Sequence, residues 1–180
     1  AKELGGQVWH NADLLEEINY LVEYPTPLYG RIDEEFLDLP VPAVVTPMRD
    51  HQRYYPVRKE DGSLMPYFLT VRNGGDRAIR NVQIGNERVL RARLDDAKFF
   101  FDGDRRKSLE GHREALSRIN YQEGMGTMLD KSDRLVKLVE EIGEDWNFTD
   151  TEKADVRRAA YLSKSDLATG MVTEFTELQG

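Results

Sequence analysis

The sequence has 180 residues and a net charge of −8, from 25 basic and 33 acidic groups, a length that fits one domain or a domain and a half. It contains no cysteine, so disulfides, thiolate zinc sites and cysteine nucleophiles are excluded. No apolar run approaches the ~20 residues of a membrane span, yet 39% hydrophobic residues, with 7 Phe, 8 Tyr and 2 Trp, suffice for a core.

The chain starts Ala1-Lys2-Glu3-Leu4, with neither an initiator Met nor a signal core. It ends in a helical pattern, so both ends read as cuts through a longer protein. Asn11 is placed to cap a helix whose apolar face is Leu14, Leu15, Ile18, Leu21 and Val22. That helix must stop before Pro25, because the residue before proline disfavours the helical region. Residues 25–30 read as a turn or an extended passage. Asp33 to Leu39 reads as a short helix, closed by Pro40 and Pro42.

Residues 53–72 read as a hairpin around an Asp61-Gly62 turn. Pro56 and Pro66 cannot donate ladder bonds, so they belong at edges or bulges. From Arg77 to about Asp102 the period becomes helical, with Leu90, Leu94, Ala97 and Phe101 as the apolar stripe. Arg77, Arg80, Arg88 and Arg91 gather on another side of this helix, roughly opposite that stripe. Gly85 and Asn86 predict a kink or a helix start in its middle.

Beyond Asp102-Gly103-Asp104, residues 108–118 read as a short polar helix and Gly124-Met125-Gly126 as a flexible link. A helix follows with Met128, Leu135, Leu138, Val139 and Ile142 inward and Gly143 as its stop. Thr149 and Glu152 form a capping box for the next helix, whose face is Val156, Ala160, Ser163 and Leu167. The fold class is therefore α+β. An α/β part with an antiparallel hairpin and a long helix spans residues 1–105, and an all-helical part spans 106–180.

Charge is unevenly distributed. Residues 1–71 carry −6, residues 72–118 carry +4 and residues 119–180 carry −6. A central basic stripe can bind phosphate although the total is negative, because screening confines distant charges to about 8–10 Å. The same stripe can instead pair with the acidic flanks. His10, His51 and His112 are not at metal-ligand spacing on a shared helix. His51, in Arg49-Asp50-His51-Gln52-Arg53-Tyr54, could contact a phosphate or base, or serve as a hydrogen-bonded structural residue. No phosphate loop and no Gly-x-Ser-x-Gly elbow is present.

Several blocks taken in order carry a family resemblance: LLEEINYLVEYPTPLYGRIDEEF from Leu14, MRDHQRYYPV from Met48, GNERVLRARLDDAKFFF from Gly85, then YQEGMGTMLDKSDRL and AAYLSKSDLATGMVTEFTELQG. They resemble the β subunit of the bacterial two-subunit glycyl-tRNA synthetases over nearly the whole chain. The resemblance implies a cytoplasmic glycine–tRNA ligase of two α and two β subunits that uses ATP and Mg2+. The α subunit would hold the catalytic core, and the β subunit would bind tRNA(Gly). This chain would be an internal fragment of β with no cofactor of its own, inactive alone, whose partners are the α subunit, tRNA(Gly) and the remainder of β. Its second part would be a degenerate HD-like helical domain, marked by Ser165-Asp166, where serine stands in place of the family's histidine.

On this reading, Arg77, Arg80, Arg88 and Arg91 contact tRNA phosphates, and Arg105, Arg106 and Lys107 form a second patch. His51 joins them, and Tyr54 or Tyr55 stacks on bases. Two alternatives remain open: an HD-type metal-dependent phosphohydrolase, and a subunit-interaction module without RNA contact.

Overall fold

A computed structural model describes residues 1–180, which divide into two compact units, Ala1–Phe99 and Phe100–Gly180. The first unit is built on a four-stranded antiparallel sheet ordered β1-β3-β4-β2. Its strands are β1 (Gln7–Val8), β2 (Pro25–Arg31), β3 (Tyr55–Arg58) and β4 (Leu64–Asn73). The expected hairpin is β3–β4. Its turn closes through the Lys59 N–H donating to the Ser63 carbonyl at 2.8 Å, with Gly62 at φ 87°. Asp61 accepts from the Ser63 N–H and hydroxyl at 2.9 and 2.7 Å.

The sequence pattern does not signal β1, and of the turn or extended passage read at 25–30 it is the extended form that occurs. Residues 25–31 form a full strand, pairing with β4 from Pro25↔Asn73 to Arg31↔Tyr67. Pro25 and Pro27 are tolerated there because β2 is an edge strand. By contrast, Pro56 lies in an interior strand, where a register shift between Pro56 and Arg58 accommodates it. Pro66 also lies in an interior strand, and its carbonyl accepts from Ile32 at 3.0 Å.

Alternation along β4 sorts the two faces of the sheet. Leu69 and Val71 pack with Tyr55 against Leu14 and Ile18 of α1 (Ala12–Leu21). Asn11 caps this helix by accepting the Leu14 N–H at 2.9 Å. Leu15 and Leu21, expected inward, are exposed, so the real apolar face is narrower than the periodicity suggested.

Phe68 faces the other way and is fully buried. It stacks on Tyr54 with ring centroids 4.5 Å apart. On this side a Cβ at Gly30 would collide with the Phe68 ring and approach Glu87 Cγ to 3.1 Å. Glycine therefore lets β2 lie close to the helix that carries Glu87. The expected helix at 33–39 is a single 3-10 turn, Glu34–Asp38, which buries Phe36 completely. It ends before Pro40, with Leu39 extended at ψ 154° as a residue preceding proline should be; Pro42 instead opens α2 (Val41–Thr46), where a first-turn proline forfeits no hydrogen bond. A π-helical turn, Pro47–His51, follows and buries Met48.

The long helix α3 runs unbroken from Ile79 to Asp104. It neither starts nor breaks at Gly85-Asn86, because the packing of Leu90, Leu94 and Ala97 outweighs one weak helix former. These three side chains are at most 1% exposed. Arg77 falls outside the helix, in the turn preceding it, where Ala78 has φ 55°.

The second unit is not all-helical. Gly124-Met125-Gly126 is a tight connection rather than a flexible link. Gly124 at φ 74° and Gly126 at φ 80° turn a small hairpin of β5 (Asn120–Gln122) and β6 (Gly126–Thr127). The helices are α4 (Leu109–Arg113), α5 (Met128–Asp145), α6 (Asp150–Leu162) and α7 (Gly170–Glu174). Both α5 and α6 begin with capping boxes, Thr127/Asp130 and Thr149/Glu152.

The helices α5 and α6 run antiparallel. Ser132 Oγ donates to the Tyr161 carbonyl at 3.1 Å, Arg157 pairs with Glu140 at 2.7 Å and Lys153 with Glu144 at 2.8 Å. Here the inward face differs from expectation. Met128, Ser132, Val136 and Gly143 are buried, whereas Leu138 is half exposed and Ile142 partly so. Gly143 does not end the helix. A Cβ added there would meet Phe148 and Lys153 at 3.4 and 3.5 Å, ordinary van der Waals contact.

Candidate nucleic-acid interface

Arg77 and Arg80 stand at the start of α3, both exposed. The start of a helix carries partial positive charge, so two cations there are unfavourable by themselves and an added anion is favourable. Arg72, at the end of β4, donates from Nη1 to the Arg77 carbonyl at 2.8 Å, which brings a third guanidinium alongside. Neither Arg77, Arg80 nor the exposed Arg88 forms an ion pair.

Arg91 is different. It pairs with Asp33 and reaches Asp95 one turn on at 4.0 Å. The arginines therefore divide into three unpaired cations and one that is already neutralised. Nor do they oppose the apolar stripe. Arg88 and Arg91 flank it and line a groove of about 380 Å³ together with Arg31, Phe36, Leu90 and Leu94. Helical spacing accounts for this, since Arg91 lies only ~60° from Leu94 around the axis.

Arg31 has no signal in the sequence, because what places it is the pairing of β2 with β4, Arg31 opposite Tyr67, which the sequence does not show. Its Nη2 donates to the Tyr67 hydroxyl at 3.3 Å and its guanidinium lies 5.6 Å from the Tyr67 ring centre. The hydrogen bond with Tyr67 raises the guanidinium pKa further. Glu87 holds this corner together, accepting the Arg31 backbone N–H at 3.0 Å and Gln83 Nε2 at 3.2 Å.

Tyr54 and Tyr55 do not offer their rings to bases. They are 5% and 8% exposed. Tyr54 is stacked on Phe68, and burial pushes its phenol pKa up to about 12. Burial raises that of Tyr55 as well. The hydroxyl of Tyr55 is buried without a partner, so Tyr55 is a core residue of the α1 side. His51 is partly buried at the end of the π-helical turn, and its carbonyl accepts from Arg53 at 3.3 Å. Arg53 in turn pairs with Glu17 of α1 at 2.9 Å, which ties this end of the turn to α1.

Arg105, Arg106 and Lys107 belong to the second unit, in the exposed turn after α3. Arg105 lies 5.4 Å from the Phe101 ring centre. No three His, Cys, Asp or Glu side chains converge as metal ligands. His112 Nε2 is 3.2 Å from the Asp104 carbonyl, and Ser165 is fully buried.

The exposed arginines stand at the start and along α3, beside the sheet of the first unit. The comparisons with known proteins place the chain in a family of aminoacyl-tRNA synthetase subunits. All 180 residues match the family model described as glycyl-tRNA synthetase beta subunit. The glycine–tRNA ligase beta subunit of Clostridioides difficile is 52% identical over 180 residues, covering 100% of this chain and 26% of the relative. That of Halothermothrix orenii is 50% identical over 179 residues, covering 99% and 26%. That of Bacillus subtilis is 46% identical over 168 residues, covering 93% and 25%. The chain belongs to the glycyl-tRNA synthetase beta subunit family, and it spans about a quarter of the length of these relatives.

Proposed function

We propose that this chain is a tRNA-contacting and scaffolding part of a glycine–tRNA ligase beta subunit, supporting the ATP-dependent attachment of glycine to tRNA(Gly) by an alpha subunit. The holoenzyme, two alpha and two beta subunits in the cytoplasm, would use Mg2+ with ATP in the alpha subunit. The remainder of beta is the second neighbour of this part. Family membership along the full chain supports the setting.

The observation that carries the tRNA contact is the unpaired trio Arg77, Arg80 and Arg88, two of them at the positive end of α3. Phosphates would relieve the unfavourable placement of those two charges and release counterions from the RNA. Arg91 is the weakest contributor, since a phosphate must compete with Asp33. The phosphohydrolase alternative lacks a ligand set, because no metal-ligating cluster is formed.

The test is filter binding of tRNA(Gly) to the complete enzyme across a salt series. Reversing Arg77 and Arg80 together (Arg77→Glu, Arg80→Glu) should weaken binding and flatten the log–log salt slope by about one for each phosphate that the variant no longer neutralises. Unchanged affinity and slope would overturn the proposal.

A further inference from the structure

We infer that Tyr24 is a stacking platform for an unpaired base of tRNA, set beside the arginines that take its phosphates. This contact presupposes the tRNA reading and adds base recognition to phosphate recognition. Of the eight tyrosines, the others apart from Tyr20 are engaged. Tyr54 and Tyr55 are buried, and Tyr29 and Tyr67 meet edge to face. Lys131 lies over the Tyr121 ring and Arg113 over that of Tyr161. Tyr20 and Tyr24 alone leave their rings without a contact, 80% and 66% exposed.

The surroundings separate these two rings. Tyr20 shares its side of α1 with Asp13, Glu16 and Glu17, all within ~60° of it around the axis, so a phosphate chain is repelled there. Tyr24 stands where β2 begins beside the end of β4, with Pro25 opposite Asn73. Its backbone is held on both sides. The Tyr24 N–H donates to Asn73 Oδ1 at 3.1 Å, and the Tyr24 carbonyl accepts the Gly74 N–H at 2.8 Å. Arg72 lies along the same turn. A Cβ on Gly74 would stand 3.7 Å from Arg72 Nε, and Nη1 of that guanidinium reaches the Arg77 carbonyl at 2.8 Å. An open ring on a fixed backbone thus adjoins Arg72 and Arg77, with Arg80 following at the start of α3. The acids flanking these residues in sequence are Glu23 and Asp76. Three guanidinium groups outnumber them, and the Glu23 carboxylate is turned to Asn73 Nδ2. Sites for single-stranded RNA combine these features, an aromatic face for the base and cations for the backbone. Bases inside a duplex have no free face, so the ligand is an unpaired segment of the tRNA.

The experiment is filter binding of tRNA(Gly) to the complete enzyme, with Tyr24 replaced, across a salt series. Tyr24→Ala should weaken binding about tenfold, the loss of one base stack. The log–log salt slope should stay as it is, because a stacked base releases no counterion. Tyr24→Phe and Tyr24→Trp should keep the affinity, since each retains an aromatic face. Tyr20→Ala, an equally open ring among acids, should change nothing. The Tyr24 ring has no contact to lose, so an unchanged melting temperature will show that the variants fold. A loss below twofold for Tyr24→Ala, an equal loss for Tyr24→Phe and Tyr24→Trp, an equal loss for Tyr20→Ala, or a flattened salt slope would each overturn the inference. The two readings fail separately. Reversal of Arg77 and Arg80 without effect removes the tRNA reading itself, whereas a normal effect of that reversal with none from Tyr24→Ala removes the stacking platform alone.

Discussion

Arg113 carries its charge into the interior of the helical unit, where it is 8% exposed. Its Nε donates to the Tyr161 carbonyl at 2.9 Å, and Nη2 reaches Asp133 at 2.5 Å. The guanidinium carbon also sits 3.9 Å from the centre of the Tyr161 ring. One side chain therefore ties α4 to both α5 and α6. Its hydrogen bonds and ring contact offset much of the desolvation that makes buried charges costly. Replacing it (Arg113→Ala) should destabilise the chain by about 3 kcal/mol, since its packing, hydrogen bonds and ring contact vanish together. Urea denaturation followed by circular dichroism measures this, and a change below the ~0.5 kcal/mol usual for surface sites would refute it. Nothing in the sequence distinguishes Arg113 from the arginines around it. Burial of a single cation depends on carbonyls and carboxylates drawn from residues 20 to 48 positions away, which no local pattern encodes.

At the scale of elements, legibility follows how local the cause is. The cap at Asn11, the Asp61-Gly62 turn, the Thr149/Glu152 box and the long helix are all readable, because each is set by residues within a few positions. The strand β2 is only partly readable: 25–30 reads as a turn or an extended passage, its two prolines argue against a paired strand, and only its edge position reconciles them. Without the pairing, the sequence does not show that Arg31 joins Arg88 and Arg91 at the groove. The tyrosines mislead for a related reason: Tyr54-Tyr55 reads as an exposed aromatic pair, but the fold buries both rings. Gly85 is the instructive exception inside α3. Its residue type predicts a kink or a helix start there, yet the helix continues unbroken through it, and a Cβ added at that position meets nothing within 4 Å. Gly85→Ala should therefore stabilise the chain by about 0.5–1 kcal/mol by reducing the freedom of the unfolded state. Thermal unfolding will show a higher midpoint if this is right, and a lower one if α3 needs flexibility there.

For the whole molecule, the two tryptophans report on two kinds of assembly. Trp9 is fixed by nonlocal structure: its backbone N–H donates to the Pro56 carbonyl at 2.9 Å and Arg58 lies 5.4 Å from its ring centre. Trp146 sits in the short connection between α5 and α6, with its backbone N–H donating to the Ile142 carbonyl at 2.9 Å and its ring edge-on to Phe148. Loop closure delays contacts that span many residues. On refolding from denaturant, fluorescence of the Trp9→Phe variant, which reports Trp146, should therefore recover faster than that of the Trp146→Phe variant. Identical rates would mean that the chain folds in one step. The charge pattern also gains meaning at this scale. Of the basic centre, Arg91 and Arg113 are engaged in internal pairs, so the surface available to an anion is smaller than the +4 total implied.

The stacking of Tyr54 on Phe68 reaches beyond packing, into how the protein exchanges protons with its solvent. In the folded chain the phenol keeps its proton to about pH 12, whereas an unfolded tyrosine gives it up near 10. Below pH 10 both states hold the proton and the difference is silent. Between pH 10 and 12 only the folded state holds it, so unfolding releases a proton and rising pH progressively favours the unfolded chain. Burial of this ring thus contributes stability to the first unit that is lost as the pH rises from about 10 to about 12.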